Sequence, residues 1–175
     1  MSAQKRLLAA VCKVVAVHDG QKRQQSGKPF VLHPLHTAGL LVEVPLPPDV
    51  SRDDCMLAAL LHHLLEQAAY TREQMEKDFG TAVTGIVAEL THDSSLPVPE
   101  RRKKMLEGCG TLSPAAKVVR LADRLDNMRD LKSMSPAYLK QYCEETRVML
   151  ERMRGACPPL EAKIQRLYAY YTTNT

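Results

Sequence analysis

The 175-residue sequence has no apolar run long enough to resemble a membrane-spanning helix. Its five cysteines contain no Cys-x-x-Cys pair and are odd in number, so neither a disulfide framework nor a cysteine zinc site is indicated. We therefore expect an intracellular, cytoplasmic protein, with a mitochondrial location as the alternative to the cytoplasm, and not a secreted one. No internal repeat, low-complexity tract or linker is present, and the length fits one domain over residues 1–175.

Convincing strand alternation is also missing, whereas apolar residues recur at helical spacing along the chain. This pattern predicts an all-α helical bundle. Residues 2–18 have basic residues among the apolar ones, which is typical either of an import sequence or of a first core helix, and we favour the core helix. The net charge of +4 permits an anionic ligand but gives no specific signal for nucleic-acid binding.

Caps and turn residues divide the chain into predicted helices. Asp49 or Ser51 begins a central helix that we expect to continue to about Gln67, and Thr71 with Gln74 resembles a capping box. Further helices are predicted over 34–42, 81–91, 100–107, from Ser113 onward, 136–154 and 158–171.

The central helix contains a polar cluster in an apolar setting, the sequence LAALLHHLLEQ at residues 57–67. On a helix, His62 and His63 lie four and three residues from Glu66, so their side chains could face one point. Buried polar side chains are costly unless a metal, a hydrogen-bond network or a substrate satisfies them. His33, Asp123 and Asn127 are further candidates, although spacing alone does not show that they meet.

Several motifs, in order, resemble one family. They are HDGQKR (18–23), SGKPFVLHP (26–34), LAALLHHLLEQ (57–67), the Phe-Gly-x-x-Val of 79–83 and LADRLDNMRDL (121–131). In these motifs the chain resembles the HD-domain hydrolase module of the RelA/SpoT family, and most closely the small stand-alone animal-type members. The resemblance implies a single HD domain with an all-α fold.

The resemblance also implies an activity and a site. Such enzymes hydrolyse the 3′-pyrophosphate of guanosine tetra- or pentaphosphate with one divalent metal, typically manganese, and animal-type members are also associated with removing the 2′-phosphate of NADPH. The resemblance implies metal ligands at four positions, which are His33, His62, His63 and Asp123 in this sequence. It places the residues that orient and activate water at Glu66 and Gln67. It places substrate contacts at Arg23, Asn127 and Tyr142.

The sequence departs from the family pattern where the chemistry lies. The metal-binding aspartate of the HD motif is His63, and the aspartate of the Glu-Asp pair is Gln67. Glutamine can orient a water molecule but cannot accept its proton at neutral pH. Residues 92–98, where animal-type members tend to have lysines near the phosphates, contain none. The basic residues 101–104 could compensate, but a solvated helix face is the favoured interpretation.

Two hypotheses follow. In the favoured one, the chain is a catalytically weak or inactive family member that acts as a nucleotide-binding, protein-interaction or structural module, with no metal required. In the other, it is an active phosphohydrolase on (p)ppGpp or NADPH, whose altered ligands His33, His62, His63 and Asp123 bind zinc or iron instead of manganese. Against the second hypothesis, an imidazole is larger than a carboxylate and would strain the site or turn away from it.

Overall fold

The computed structural model describes residues 2–24, 26–67 and 70–173, and these residues are predominantly helical. The helices are α1 (Ala3–Val17), α2 (Leu32–Glu43), α3 (Arg52–Leu61), α4 (Arg72–Phe79), α5 (Thr81–Leu90), α6 (Val98–Gly108), α7 (Pro114–Arg129), α8 (Pro136–Arg152) and α9 (Pro158–Thr173). Short 3₁₀ turns occupy Cys109–Thr111 and Leu131–Ser133. Within the described ranges no β-strand forms, which confirms the all-α prediction.

The predicted caps begin the helices where expected. The hydroxyl of Ser51, not Asp49, accepts the backbone N–H of Asp54 at 3.3 Å and begins α3. Thr71 and Gln74 form both hydrogen bonds of a capping box at the start of α4. Such caps satisfy backbone donors that have no partner inside the helix.

The central helix is shorter than the sequence predicted. It ends at Leu61, and residues 62–67 form turns instead of continuing to Gln67. The Nδ1–H of His62 donates to the carbonyl of Ala59 at 2.7 Å, the group that would accept the backbone N–H of His63 in a continuing helix. The side chain therefore competes with the helix for its last carbonyls.

Helix α3 is the centre of the core and packs against α1, α2, α5 and α7. Leu60 and Leu61 on α3 and Leu121 on α7 are almost completely buried, and burial of such a side chain contributes about 1.5–3 kcal/mol. Ala10 and Val14 bury one face of α1, which supports its interpretation as a core helix. In the described part of the chain, no helix combines the length and hydropathy needed to cross a membrane.

The loop between α1 and α2 is folded back on itself and lies against α7. Lys22 and Pro29 form an isolated antiparallel bridge, and the backbone N–H of Arg23 donates to the carbonyl of Lys28 at 2.8 Å. Gly27 makes the turn with φ of +69°, a conformation that favours glycine. The loop thereby carries Arg23 to the side of α7 on which Asp126 and Asp130 lie.

Candidate metal centre

Three imidazoles from two elements meet beside α7. His33 comes from the first turn of α2, and His62 and His63 come from the turn that follows α3. One ligand atom from each of them lies within 4.8 Å of the others. The His33 ring centroid is 5.3 Å from that of His62 and 5.4 Å from that of His63. The His63 ring is therefore part of the cluster and does not turn away from it.

Asp123 on α7 adds a carboxylate to the three imidazoles. Its Oδ1 lies 3.2 Å from Nε2 of His33 and 3.9 Å from Nε2 of His62, and its Oδ2 lies 3.3 Å from a guanidinium nitrogen of Arg120. Burial alone would raise the pKa of Asp123, but His33, His62 and Arg120 hold it well below its usual range. The carboxylate is therefore ionised and available as a ligand.

His62 has the tautomer that a metal ligand needs. A carbonyl oxygen can only accept, so the hydrogen bond to Ala59 requires the proton on Nδ1 and leaves Nε2 as a lone-pair donor. Burial, reinforced by His63, holds the pKa of His62 well below its usual value, which keeps the ring neutral.

Two buried nitrogens of the cluster support the fit of a cation. Among the described residues, Nε2 of His62 and Nε2 of His63 have no hydrogen-bond partner. Buried polar atoms are normally satisfied, so two orphaned imidazole nitrogens beside a carboxylate fit a bound metal ion.

Glu66 lies at the edge of this cluster and is held in place. Its Oε2 is 3.7 Å from Nδ1 of His63, and its Oε1 accepts the backbone N–H of His92 at 2.8 Å. Burial would raise the pKa of Glu66, but the nearby His63 and the hydrogen bond from the backbone N–H of His92 lower it, so the carboxylate is ionised. Gln67, in contrast, is exposed at the end of the turn.

Arg23 and Asn127 form a polar network on the other side of Asp123. Asn127 donates to Oδ1 of Asp123 at 2.8 Å and accepts from Arg23 at 2.8 Å. The other guanidinium nitrogens of Arg23 lie 2.6 Å from Asp126 and 2.9 Å from Asp130. The structure thus brings these two predicted substrate residues together with the predicted ligand Asp123.

Tyr142 lies on α8 and contacts α7 through Arg124, whose guanidinium is 4.2 Å from the centre of the tyrosine ring. Its other ring contact is with Tyr138, at 5.9 Å between centroids and 23° between planes. In the parts of the chain that are described, no hydrogen bond or ring contact joins Tyr142 to the imidazole cluster. Its substrate role stays a prediction.

Three participants were not singled out from the sequence. Asp126 binds His33 at 2.7 Å, Arg120 binds Asp123, and the backbone of His92 binds Glu66. Asp126 had one available signal, because it lies three residues after Asp123 and shares its side of a helix. A backbone contact such as that of His92 has no signal in the sequence.

A cavity of about 360 Å³ lies beyond His92. Three basic residues, Arg101 and Lys104 from α6 and Arg120 from α7, line it together with the acidic residues Glu89 and Asp93. Nε of Arg101 is buried without a partner among the described residues. Arg101 is therefore half-buried against the cavity, whereas Lys104 lines the cavity and is exposed to solvent, as a solvated helix face predicts.

Comparison with known proteins shows the family of the chain. Residues 10–150 match the model of the HD domain, and the chain belongs to this family, as a homologue of the MESH1 ppGpp hydrolases. Guanosine-3′,5′-bis(diphosphate) 3′-pyrophosphohydrolase MESH1 of Danio rerio is 33% identical over 168 residues, which cover 93% of this chain and 92% of that protein. The Homo sapiens MESH1 is 31% identical over 169 residues, with 93% of each chain covered.

A solved structure supports the same relationship. It is described as a metazoan ortholog of SpoT that hydrolyzes ppGpp and plays a role in starvation responses. It superimposes with a TM-score of 0.83 at 29% identity and covers 94% of both chains. The predicted family and fold are thus confirmed, whereas the roles of individual site residues stay predictions.

Proposed function

We propose that this protein binds a transition metal through His33, His62, His63 and Asp123, and binds a guanosine polyphosphate beside it, whose 3′-pyrophosphate it hydrolyses slowly. The observation that carries the proposal is the convergence of three imidazole ligand atoms within 4.8 Å, next to an ionised carboxylate. The buried Nε2 atoms of His62 and His63, which have no hydrogen-bond partner in the described part of the chain, also support a bound cation.

The donor set favours a borderline metal over manganese. Imidazoles suit zinc, iron, cobalt or nickel, whereas manganese prefers oxygen ligands. His63 therefore changes the preferred ion and does not by itself abolish metal binding. When bound, such an ion supplies an acidified water molecule as a nucleophile.

Slow hydrolysis follows from the groups that would handle the proton of that water. Glu66 is ionised, but both of its oxygens already have partners in His63 and His92. Gln67 has no carboxylate and is exposed. The chain therefore supplies one engaged general base where the resemblance implies a pair of acidic residues.

Cationic side chains for the phosphates of the nucleotide lie on one side of Asp123, and the predicted nucleotide contacts Arg23 and Asn127 lie on the other. Arg101, Lys104 and Arg120 line the cavity beyond His92. Arg23 and Asn127 lie on the opposite side, where the resemblance implies contacts with the nucleotide. This arrangement supports nucleotide binding even with weak catalysis.

The test combines metal and nucleotide binding with hydrolysis, on protein without a histidine tag. We expect saturable zinc binding, ppGpp binding in the micromolar range, and slow zinc-dependent release of pyrophosphate, measured by calorimetry and by chromatography of the products. NADPH serves as the second substrate in the same assay. The variant His62→Ala should lose the metal and the hydrolysis together.

The outcomes separate the two hypotheses from the sequence. Metal binding without nucleotide binding or turnover would overturn the enzyme proposal. Nucleotide binding in a protein that takes up no metal would also overturn it, and would support an inactive binding module instead. In that case, the purification of native complexes would identify the partner.

A further inference from the structure

The buried carboxylate of Asp126, which is outside the proposed ligand set, contacts the proposed ligand His33 on the side of the ring opposite Asp123. Oδ2 of Asp126 lies 2.7 Å from Nδ1 of His33, and the Asp126 side chain is 3% exposed. The opposite nitrogen of the same ring, Nε2, faces Asp123 at 3.2 Å. His33 is therefore held between one carboxylate in the cluster and one outside it.

We infer that Asp126 is a positioning residue that fixes the tautomer and orientation of His33 for metal binding. The inference rests on the proposed metal site. A carboxylate that accepts the Nδ1–H of a histidine leaves Nε2 as the ligating atom and makes it a better donor.

The same carboxylate joins the nucleotide side of the site to the metal side. Oδ2 of Asp126 is also 2.6 Å from a guanidinium nitrogen of Arg23, and Oδ1 lies 3.3 Å from Nδ1 of His36. Arg23 reaches Asn127, and Asn127 reaches Asp123. Asp126 therefore couples Arg23 of the loop between α1 and α2 to the ring of His33.

The chain provides a matched control for the loss of this carboxylate. Asp130 is also buried and binds Arg23, at 2.9 Å, but its other partners are Ser26 and Lys28. Asp130→Ala thus disturbs the same arginine without touching His33. Asp126→Asn keeps the shape of the side chain and its ability to accept a hydrogen bond, but removes the charge.

The first measurement is zinc affinity by calorimetry for the intact chain and its variants. We expect Asp126→Ala to weaken zinc binding about 10- to 100-fold, with a smaller loss for Asp126→Asn and a change below about threefold for Asp130→Ala. Equal losses in Asp126→Ala and Asp130→Ala would overturn the inference, because the effect would then pass through Arg23. An unchanged affinity in both Asp126 variants would also overturn it.

A second measurement needs no metal. Nitrogen NMR of the histidine rings reports whether Nδ1 carries the proton, and we expect the Nδ1 signal of His33 to show a bonded proton in the wild type that is lost or weakened in Asp126→Ala. A wild type that binds no zinc but shows this Asp126-dependent signal would overturn the proposed function and leave the positioning of His33 standing. A signal that does not respond to Asp126→Ala would overturn the positioning role.

Discussion

The rings of His62 and His63, neighbours in the sequence, lie 3.9 Å apart between centroids at an interplanar angle of 43°. Consecutive residues of an α-helix point about 100° apart and do not face each other. The end of α3 at Leu61 makes the pairing possible, because residues 62–67 form turns. The shortened helix is therefore part of the way in which the site is built.

Restoring the two aspartates of the family pattern tests the explanation for slow turnover. We expect His63→Asp to shift the preferred ion toward manganese, because an oxygen ligand replaces an imidazole. The double variant His63→Asp/Gln67→Asp should increase manganese-dependent ppGpp hydrolysis about 100-fold, since a general base contributes at least this factor. Pyrophosphate release under saturating nucleotide is the measurement.

The control for this experiment is His63→Asp/Gln67→Asn, which shortens the side chain at position 67 without adding a carboxylate there. Only the variant with aspartate at position 67 should show the large increase in ppGpp hydrolysis. A double variant with lower activity and an unchanged metal preference would contradict the account of the site.

The cavity beyond His92 gives a prediction about nucleotide affinity. Arg101→Ala and Lys104→Ala should each weaken ppGpp binding about tenfold, because a charge-assisted hydrogen bond contributes about 1.5–3 kcal/mol. Lys103→Ala is the matched control, since Lys103 is on the same helix but pairs with Glu107 and does not line the cavity. Equal effects of all three variants in a binding titration would indicate a general charge effect and contradict the assignment of the cavity.

Arg23 should be essential for stability as well as for the site. Its guanidinium is buried between Asp126 and Asp130, so Arg23→Ala leaves two buried carboxylates without this partner. We expect the free energy of unfolding in urea to fall by about 3–5 kcal/mol. Arg147→Ala removes an exposed arginine that is also paired with two acids and should change the midpoint very little. Similar midpoints for the two variants would refute the prediction.

Replacement of two glycines by alanine should change the stability of the protein in opposite directions. Gly80, between α4 and α5, has φ of +87°, so Gly80→Ala should destabilise the protein by about 1–3 kcal/mol. Gly85 lies inside α5 with open space for a Cβ atom, so Gly85→Ala should stabilise it by about 0.5–1 kcal/mol. Thermal unfolding of both variants checks the sign, and a shift in the same direction for both would be the contrary result.

The sequence was sufficient for most helices because their starts are encoded locally. Ser113-Pro114 and the capping box at Thr71 fix the beginnings of α7 and α4 through contacts three residues apart. The predicted end of α3 was wrong. The apolar pattern indicates a helix beyond Leu61, but the side chain of His62 forms a hydrogen bond that competes with the helix. Such competition depends on the burial of His62, which periodicity does not report.

The site could be predicted only in part, for a related reason. Family motifs named His33, His62 and Asp123, but the bond from Asp126 to His33 spans 93 residues of sequence and the bond from Asp126 to Arg23 spans 103. Helical spacing cannot indicate partners at such separations. The packing of α2, α3 and α7 creates these contacts, so they emerge only in the folded structure.

The proposed metal centre is tested most directly by the zinc content of the untagged protein after equilibrium dialysis against zinc. The variants His33→Ala and His62→Ala are measured in parallel. We expect about one zinc ion per wild-type chain and almost none in either variant. His36, which is largely exposed and outside the imidazole cluster, provides the control His36→Ala, which should keep its zinc. A wild type that takes up no zinc, or variants that retain it fully, would contradict the claim that these histidines form a metal centre.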